Sequence, residues 1–216
     1  MPQPNNVLNH EERLKAKAVI STKYAHSYLT LGNNEILIKD LSCASKILMY
    51  YFLSQAEHAY DSGIFVAVPR IYEETGYNRH NYYPCYHELI DTGYMCVQHR
   101  FNTSNAFVFP KHEPMLAEAE KTIRLPRRLL LDKRLTIKER YLIILTAVLY
   151  QDYDKEHIKT LLDTNENKYQ SMIKHLTELK YLSFDESGKP SFCSINQDVR
   201  MSFTKNKLAE GEDNAL

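Results

Sequence analysis

The chain has 216 residues, 44% of them hydrophobic and 25% charged, with 27 Lys/Arg balanced by 27 Asp/Glu. That length holds one large domain or two small ones, and zero net charge weighs against a basic coat that grips nucleic acid without preference. The longest apolar run, Tyr141–Tyr150, is too short to span a bilayer, and the chain does not open with a signal-peptide pattern, so a cytoplasmic protein with no membrane partner is expected.

In chain order, residues 1–40 read as an N-terminal arm, either a short helix or an extended segment. Apolar residues at helical spacing then mark a helix over Leu41–Ala56, with Ser42 as a cap. "GIFVAV" (Gly63–Val68) reads as a short strand, and "PRIYEETG" (Pro69–Gly76) as a short helix that opens on proline and closes on glycine. "GYNRHNYYPCYHELIDTGYM" (Gly76–Met95) supplies a third helix, with either Asn78 or Asn81 as its cap. The choice matters because Pro84 fits a first turn better than a helix interior, where it costs roughly 3 kcal/mol. "MCVQHR" and "NAFVFP" follow as the strands of a hairpin, which gives a unit over 41–110.

Residues 111–123 read as a polar linker, 124–203 as a second unit and 204–216 as a flexible tail. The second unit repeats the first. "LTIKERYLIILTAVLY" parallels "LSCASKILMYYFL", and Ile71–Met95 lies without a gap on Ile158–Leu182. Ile71 then falls on Ile158, Asn78 on Asn165, Tyr82 on Tyr169, Leu89 on Leu176 and Tyr94 on Tyr181. Two turn glycines change, Gly76 to Asp163 and Gly93 to Lys180, which predicts different turn chemistry in the second copy.

Charge is unevenly placed. Residues 111–140 hold nine Lys/Arg and five Asp/Glu, concentrated in Lys121–Arg134. The four cysteines, Cys43, Cys85, Cys96 and Cys193, have no C-x-x-C pairing, and their spacing from His87 and His99 fits no metal-ligand pattern, so neither metal nor cofactor is expected. No phosphate loop, nucleophile elbow, dinucleotide fingerprint or paired metal-binding histidines occur, and no enzyme is expected.

Helix, strand, helix, turn, helix and hairpin, carried by "LSCASK", "TGYNRHNYY" and "ELIDTGY", resemble the winged helix-turn-helix family. With the repeat, the resemblance implies an α+β, mostly α protein: two winged helix-turn-helix domains in tandem, forming an internal pseudo-dimer. The compact tandem form also resembles accessory proteins from transfer regions of Gram-positive conjugative plasmids, such as the TraN type, and more distantly plasmid and phage replication initiators. The implied function is a double-stranded DNA-binding regulator, expected as a repressor, of a mobile element's transfer or phage operon. A replication initiator and a winged-helix protein-docking module are the alternatives.

In that family the N-terminal half of the third helix enters the major groove. With Asn78 as cap, Tyr82, Cys85, Tyr86, Leu89 and Ile90 form the core face, leaving Arg79, His80, Tyr83, Pro84 and His87 outward. Arg79 is the residue expected to read guanine. In the second copy Glu166, Asn167, Lys168, Gln170, Ser171 and Lys174 are outward, with Asn and Gln suited to adenine. The hairpins add His99, Arg100 and Lys189, and the basic run adds Arg124, Arg127 and Arg128, either as phosphate contacts on the same surface or as complements to helix ends. Two reading helices in one chain imply a monomer on DNA.

Overall fold

A computed structural model describes residues 28–55, 63–99, 105–150, 152–186, 189–192 and 203–205. Arg100, Cys193 and residues 1–27 of the expected arm lie outside the described residues. The fold is α+β and mostly helical, with small antiparallel sheets.

Strand β1 (Tyr28–Gly32) leads into the short helix α1 (Asn33–Ile36) and then α2 (Cys43–Gln55). Strand β2 (Ile64–Phe65), helices α3 (Val68–Thr75) and α4 (Arg79–Asp91), and strands β3 (Cys96–Gln98) and β4 (Ala106–Val108) follow in the order read from the sequence. These three strands form one sheet in the order β2-β4-β3. Helix α5 (His112–Ala117), strand β5 (Lys121–Pro126) and helix α6 (Arg127–Leu131) come next. The second half comprises α7 (Ile137–Val148), α8 (Lys155–Leu161), α9 (Glu166–Glu178) and the hairpin β6 (Leu182–Phe184) and β7 (Pro190–Phe192). Strand β8 (Phe203–Lys205) is the last described element.

The stretches read as arm, linker and tail meet in a sheet of their own, ordered β1-β5-β8. Leu29 and Leu31 alternate with Tyr28 and Thr30, and they pair with Leu125 and Ile123 of β5, so all four leucine and isoleucine side chains are buried. The expected domain boundary at 123/124 therefore falls inside a strand. The expected linker is structured too: His112 of α5 is buried, with its Nδ1 2.8 Å from Glu35 Oε1 of α1.

Helices α2 and α7 carry the centre of the molecule. Every residue from Ser45 to Leu53 and from Glu139 to Ala147 is buried, so neither helix keeps a solvent face. The reason is mutual packing: each helix lies against its own half and against the other. Both also bury one cation at matching positions of the repeat. Lys46 Nζ bonds Tyr141 Oη at 2.7 Å, while Arg140 Nη1 reaches back to the Thr75 carbonyl at 2.7 Å. The two halves thus exchange contacts in both directions.

Backbone conformation matches across the repeat where the residue types do not. Gly76 and Gly93 have φ of 80° and 70°, and their counterparts Asp163 and Lys180 have φ of 45° and 60°. Among the described residues these two are the only non-glycines with positive φ. The prediction of different turn chemistry is corrected: both copies keep the left-handed turn. After both third helices the exit bond is also the same, Tyr94 N to Leu89 O and Tyr181 N to Leu176 O, each 2.9 Å. A non-glycine side chain pays about 1 kcal/mol in this region. Lys180→Gly should therefore stabilise by up to about 1 kcal/mol, and Gly93→Ala should destabilise by at least as much. Urea midpoints of both variants check this; two losses of equal size would remove Lys180 from the strained set.

Candidate nucleic-acid interface

Helix α3 stops at Gly76, whose left-handed conformation turns the chain. Asn78 then caps α4: its side chain accepts from the amides of His80 and Asn81, and Asn78 N in turn donates to Asn81 Oδ1 at 2.6 Å. This reciprocal cap settles the choice left open by the sequence, and Asn81 is the third residue of the helix rather than its cap. Pro84 consequently lies in the second turn, inside α4. It is exposed, so water is available to the His80 carbonyl whose helical partner it removes.

The two faces of α4 divide as the spacing predicts. Tyr82, Cys85 and Leu89 are buried, Tyr86 and Ile90 are half-buried, and Arg79, His80, Tyr83, Pro84 and His87 are exposed. Rings organise the outward face. The Tyr83 and His87 rings lie near parallel with centroids 6.4 Å apart, and Tyr83 meets Tyr82 edge-on at 5.2 Å. The helix is fixed from below by Glu88, which accepts from Ser42 N at 2.5 Å, Ser42 Oγ at 2.8 Å and Ser45 Oγ at 2.6 Å. Partial burial pushes the Glu88 carboxyl up, but the bonds from Ser45 and Ser42 outweigh it and hold the group below its ordinary value.

Helix α9 is built on the same plan. Asn165 caps it by accepting from Lys168 N at 3.0 Å, and Tyr169, Met172 and Leu176 are buried. His175, at the repeat position of Glu88, bonds Glu139 Oε1 at 2.7 Å, and Glu139 closes the capping box of α7 with Thr136. In both halves the third helix is therefore pinned to the start of the first. Asn167, Lys168, Gln170, Ser171 and Lys174 are exposed, as expected.

The electrostatics of the two outward faces differ. Glu166 Oε1 and Oε2 receive Lys155 Nζ at 2.5 Å and Lys159 Nζ at 2.8 Å, and Gln170 Nε2 bonds Glu166 Oε1 at 2.7 Å. Bonds from Lys155, Lys159 and Gln170 hold the Glu166 carboxyl down at about 2. Gln170 is thus engaged within its own helix, and two lysines of α8 that the sequence reading missed are neutralised. Their spacing of four on α8 was a visible signal, but the acid that meets them lies on the next helix.

The remaining candidates scatter. His99 is exposed just beyond β3. Lys189 sits in the second hairpin, with its ammonium 5.0 Å from the Tyr150 ring centroid. Arg124 and Arg128 are exposed, with Arg124 stacked 4.8 Å from the Tyr28 ring centroid. Arg127 is corrected: it is 2% exposed and bonds Gln55 of α2, so it cannot touch a phosphate. Its place at the start of α6 points it inward with Leu129 and Leu130, while Arg128 points out. Arg134 is likewise engaged, paired to Asp132 at 2.6 Å.

Among the described residues no cluster of three His, Cys, Asp or Glu could hold a metal ion, and no helix is long and apolar enough to cross a membrane. Set beside models of known protein families, curated proteins and solved structures, the chain matches none of them.

Proposed function

We propose that the chain is a sequence-specific double-stranded DNA-binding regulator, made of two winged helix-turn-helix units that act as an internal pseudo-dimer. One observation carries the reading. Two helices, α4 and α9, share an asparagine cap, a buried face at the same repeat positions, a left-handed exit turn and a polar N-terminal half turned outward. Such a helix, held rigidly by its neighbours and exposed at its start, has the form that reads base edges in the major groove. Arg79 is the guanine reader in this proposal, and Asn167 reads adenine. Arg124, Arg128, Lys168 and Lys174 meet phosphates, which lets a neutral chain bind through local charge. A repressor of a mobile element's transfer or phage genes is the role we assign.

The Glu166 cluster favours a second reading for α9 alone. The lysines beside the start of that helix, Lys155 and Lys159, are neutralised and offer phosphate no free positive charge, so the second unit would dock a protein while the first reads DNA.

The two readings separate on stoichiometry. Selection on randomised duplexes supplies a site, and footprinting with sedimentation of the complex counts chains. One chain protecting two successive major grooves, about 34 Å apart, is the expected result. Because "NRHNYYP" and "NENKYQS" differ, the site should lack a palindrome. Two chains on a symmetric site would assign α9 to another partner, and no enriched sequence would dismiss the DNA reading.

A further inference from the structure

A cleft of about 500 Å³ opens between the two halves, lined by Tyr72, Glu73 and Gly76 on one side and Lys133, Thr136 and Arg140 on the other. Its chemistry is not accounted for by the contacts that hold the fold together. Arg140 is 1% exposed, and its guanidinium bonds two backbone carbonyls, Thr75 O at 2.7 Å and Asp132 O at 2.9 Å. Its Nε is buried without a hydrogen-bond partner. Neither nearby carboxylate is bonded to it: Asp132 is taken by Arg134 and Tyr181, and Glu139 by Thr136 N and His175. A buried cation bonded only to neutral oxygens favours an anion in the adjoining space.

Three further features of the walls agree. Lys133 is exposed on the same wall. Helix α7 starts there, and its capping box uses the amides of Thr136 and Glu139, leaving those of Ile137 and Lys138 outside the box. Gly76 faces open space, since a Cβ added there would meet nothing within 4 Å. Glu73 stands on the opposite wall and is exposed, which disfavours a second negative charge and offers an acceptor to a ligand hydroxyl. The volume suits a metabolite-sized molecule.

We propose that this cleft binds a small hydroxylated organic acid, with its single anionic group at Lys133 and the start of α7, over the buried Arg140 charge, and its hydroxyl toward Glu73. Occupancy bears on α4 through a short path. Arg140 holds the Thr75 carbonyl, and Gly76, Tyr77 and the cap Asn78 follow directly. Drawing the guanidinium toward a ligand moves the turn that aims α4, so the ligand acts as an effector; that consequence rests on the DNA-binding role proposed above.

Binding is tested without DNA, which keeps the two proposals separable. Lactate and inorganic phosphate are titrated into the full chain at constant ionic strength, with unfolding midpoints and amide shifts of Gly76 and Ile137 followed by NMR. Lactate should give saturable shifts, and Lys133→Ala should weaken its apparent affinity about tenfold. Phosphate, carrying more charge, should bind less well than lactate and gain several-fold in Glu73→Gln. Both variants change exposed side chains, so folding is preserved. No saturable response to lactate, or an equal response in Lys133→Ala, overturns the site. A response to duplex DNA alone would assign the cleft to a backbone phosphate and overturn the small-molecule reading.

Discussion

Arg140→Ala is expected to destabilise the chain by about 3–5 kcal/mol, whereas Lys46→Met should stabilise it by about 1–2 kcal/mol at pH 7. The two cations occupy the same position of the repeat, and both are nearly inaccessible, at 1% and 2% exposure. Their partners decide the opposite signs. Arg140 satisfies the carbonyls of Thr75 and Asp132, from both halves, and truncation leaves those acceptors buried around a cavity. Lys46 bonds only the Tyr141 hydroxyl, which already donates to Ile36 O at 2.6 Å and needs no second partner. Methionine fills a similar volume without a charge to desolvate.

The pH dependence of the Lys46 effect follows from the same burial. Desolvation pulls its ammonium down from 10.5 to about 8, so the folded chain holds that proton less tightly than the unfolded chain. The charge is then a cost at and below pH 8, and the cost fades between pH 8 and 10.5. Lys46→Met should show its full gain at pH 7 and almost none at pH 11. Urea unfolding of both variants at the two pH values checks this. A small loss in each, independent of pH, would mean that α2 and α7 do not bury these groups against each other.

What the sequence made legible was local. Tyr82, Cys85 and Leu89 recur at helical spacing, so although Asn78 and Asn81 remained rival caps, the buried face of α4 could be read. The pairing of β1 with β5 could not. Leu29 and Leu31 alternate clearly, but the partner strand lies some ninety residues on, inside a run whose six arginines and lysines advertise a surface. The same run hid Arg127. Charge alone does not say which of two adjacent arginines turns inward, and a five-residue helix gives too little periodicity to decide. The buried cations of α2 and α7 were hidden for a related reason: a helix packed on two sides has no polar face to mark its register. The Glu166 cluster needs two helices placed together before its charges meet.

Arg79→Ala should cost about 1–3 kcal/mol on the selected site and relax preference at one base pair. Arg79 is the first residue of α4 and is exposed, so its guanidinium stands at the end of the helix that would enter the groove. The Asn78–Asn81 cap fixes that end, and Glu88 fixes the other against Ser42 and Ser45, so the side chain starts from a rigid base. Rigidity matters because a bidentate bond to guanine is lost with small displacements of the fork. The proper control is Arg128 rather than Arg127. Arg128 is exposed, and Arg128→Ala should weaken binding to all duplexes alike and lower the salt slope by about one unit. Arg127→Ala should instead lower stability, since Arg127 is buried against Gln55, with any DNA effect following the folded fraction. Titrations of the three variants on selected and scrambled duplexes at several salt concentrations separate these outcomes. An equal loss for Arg79→Ala on both duplexes would leave it a phosphate contact, and the reading of bases would pass to the Tyr83 and His87 rings on the same face.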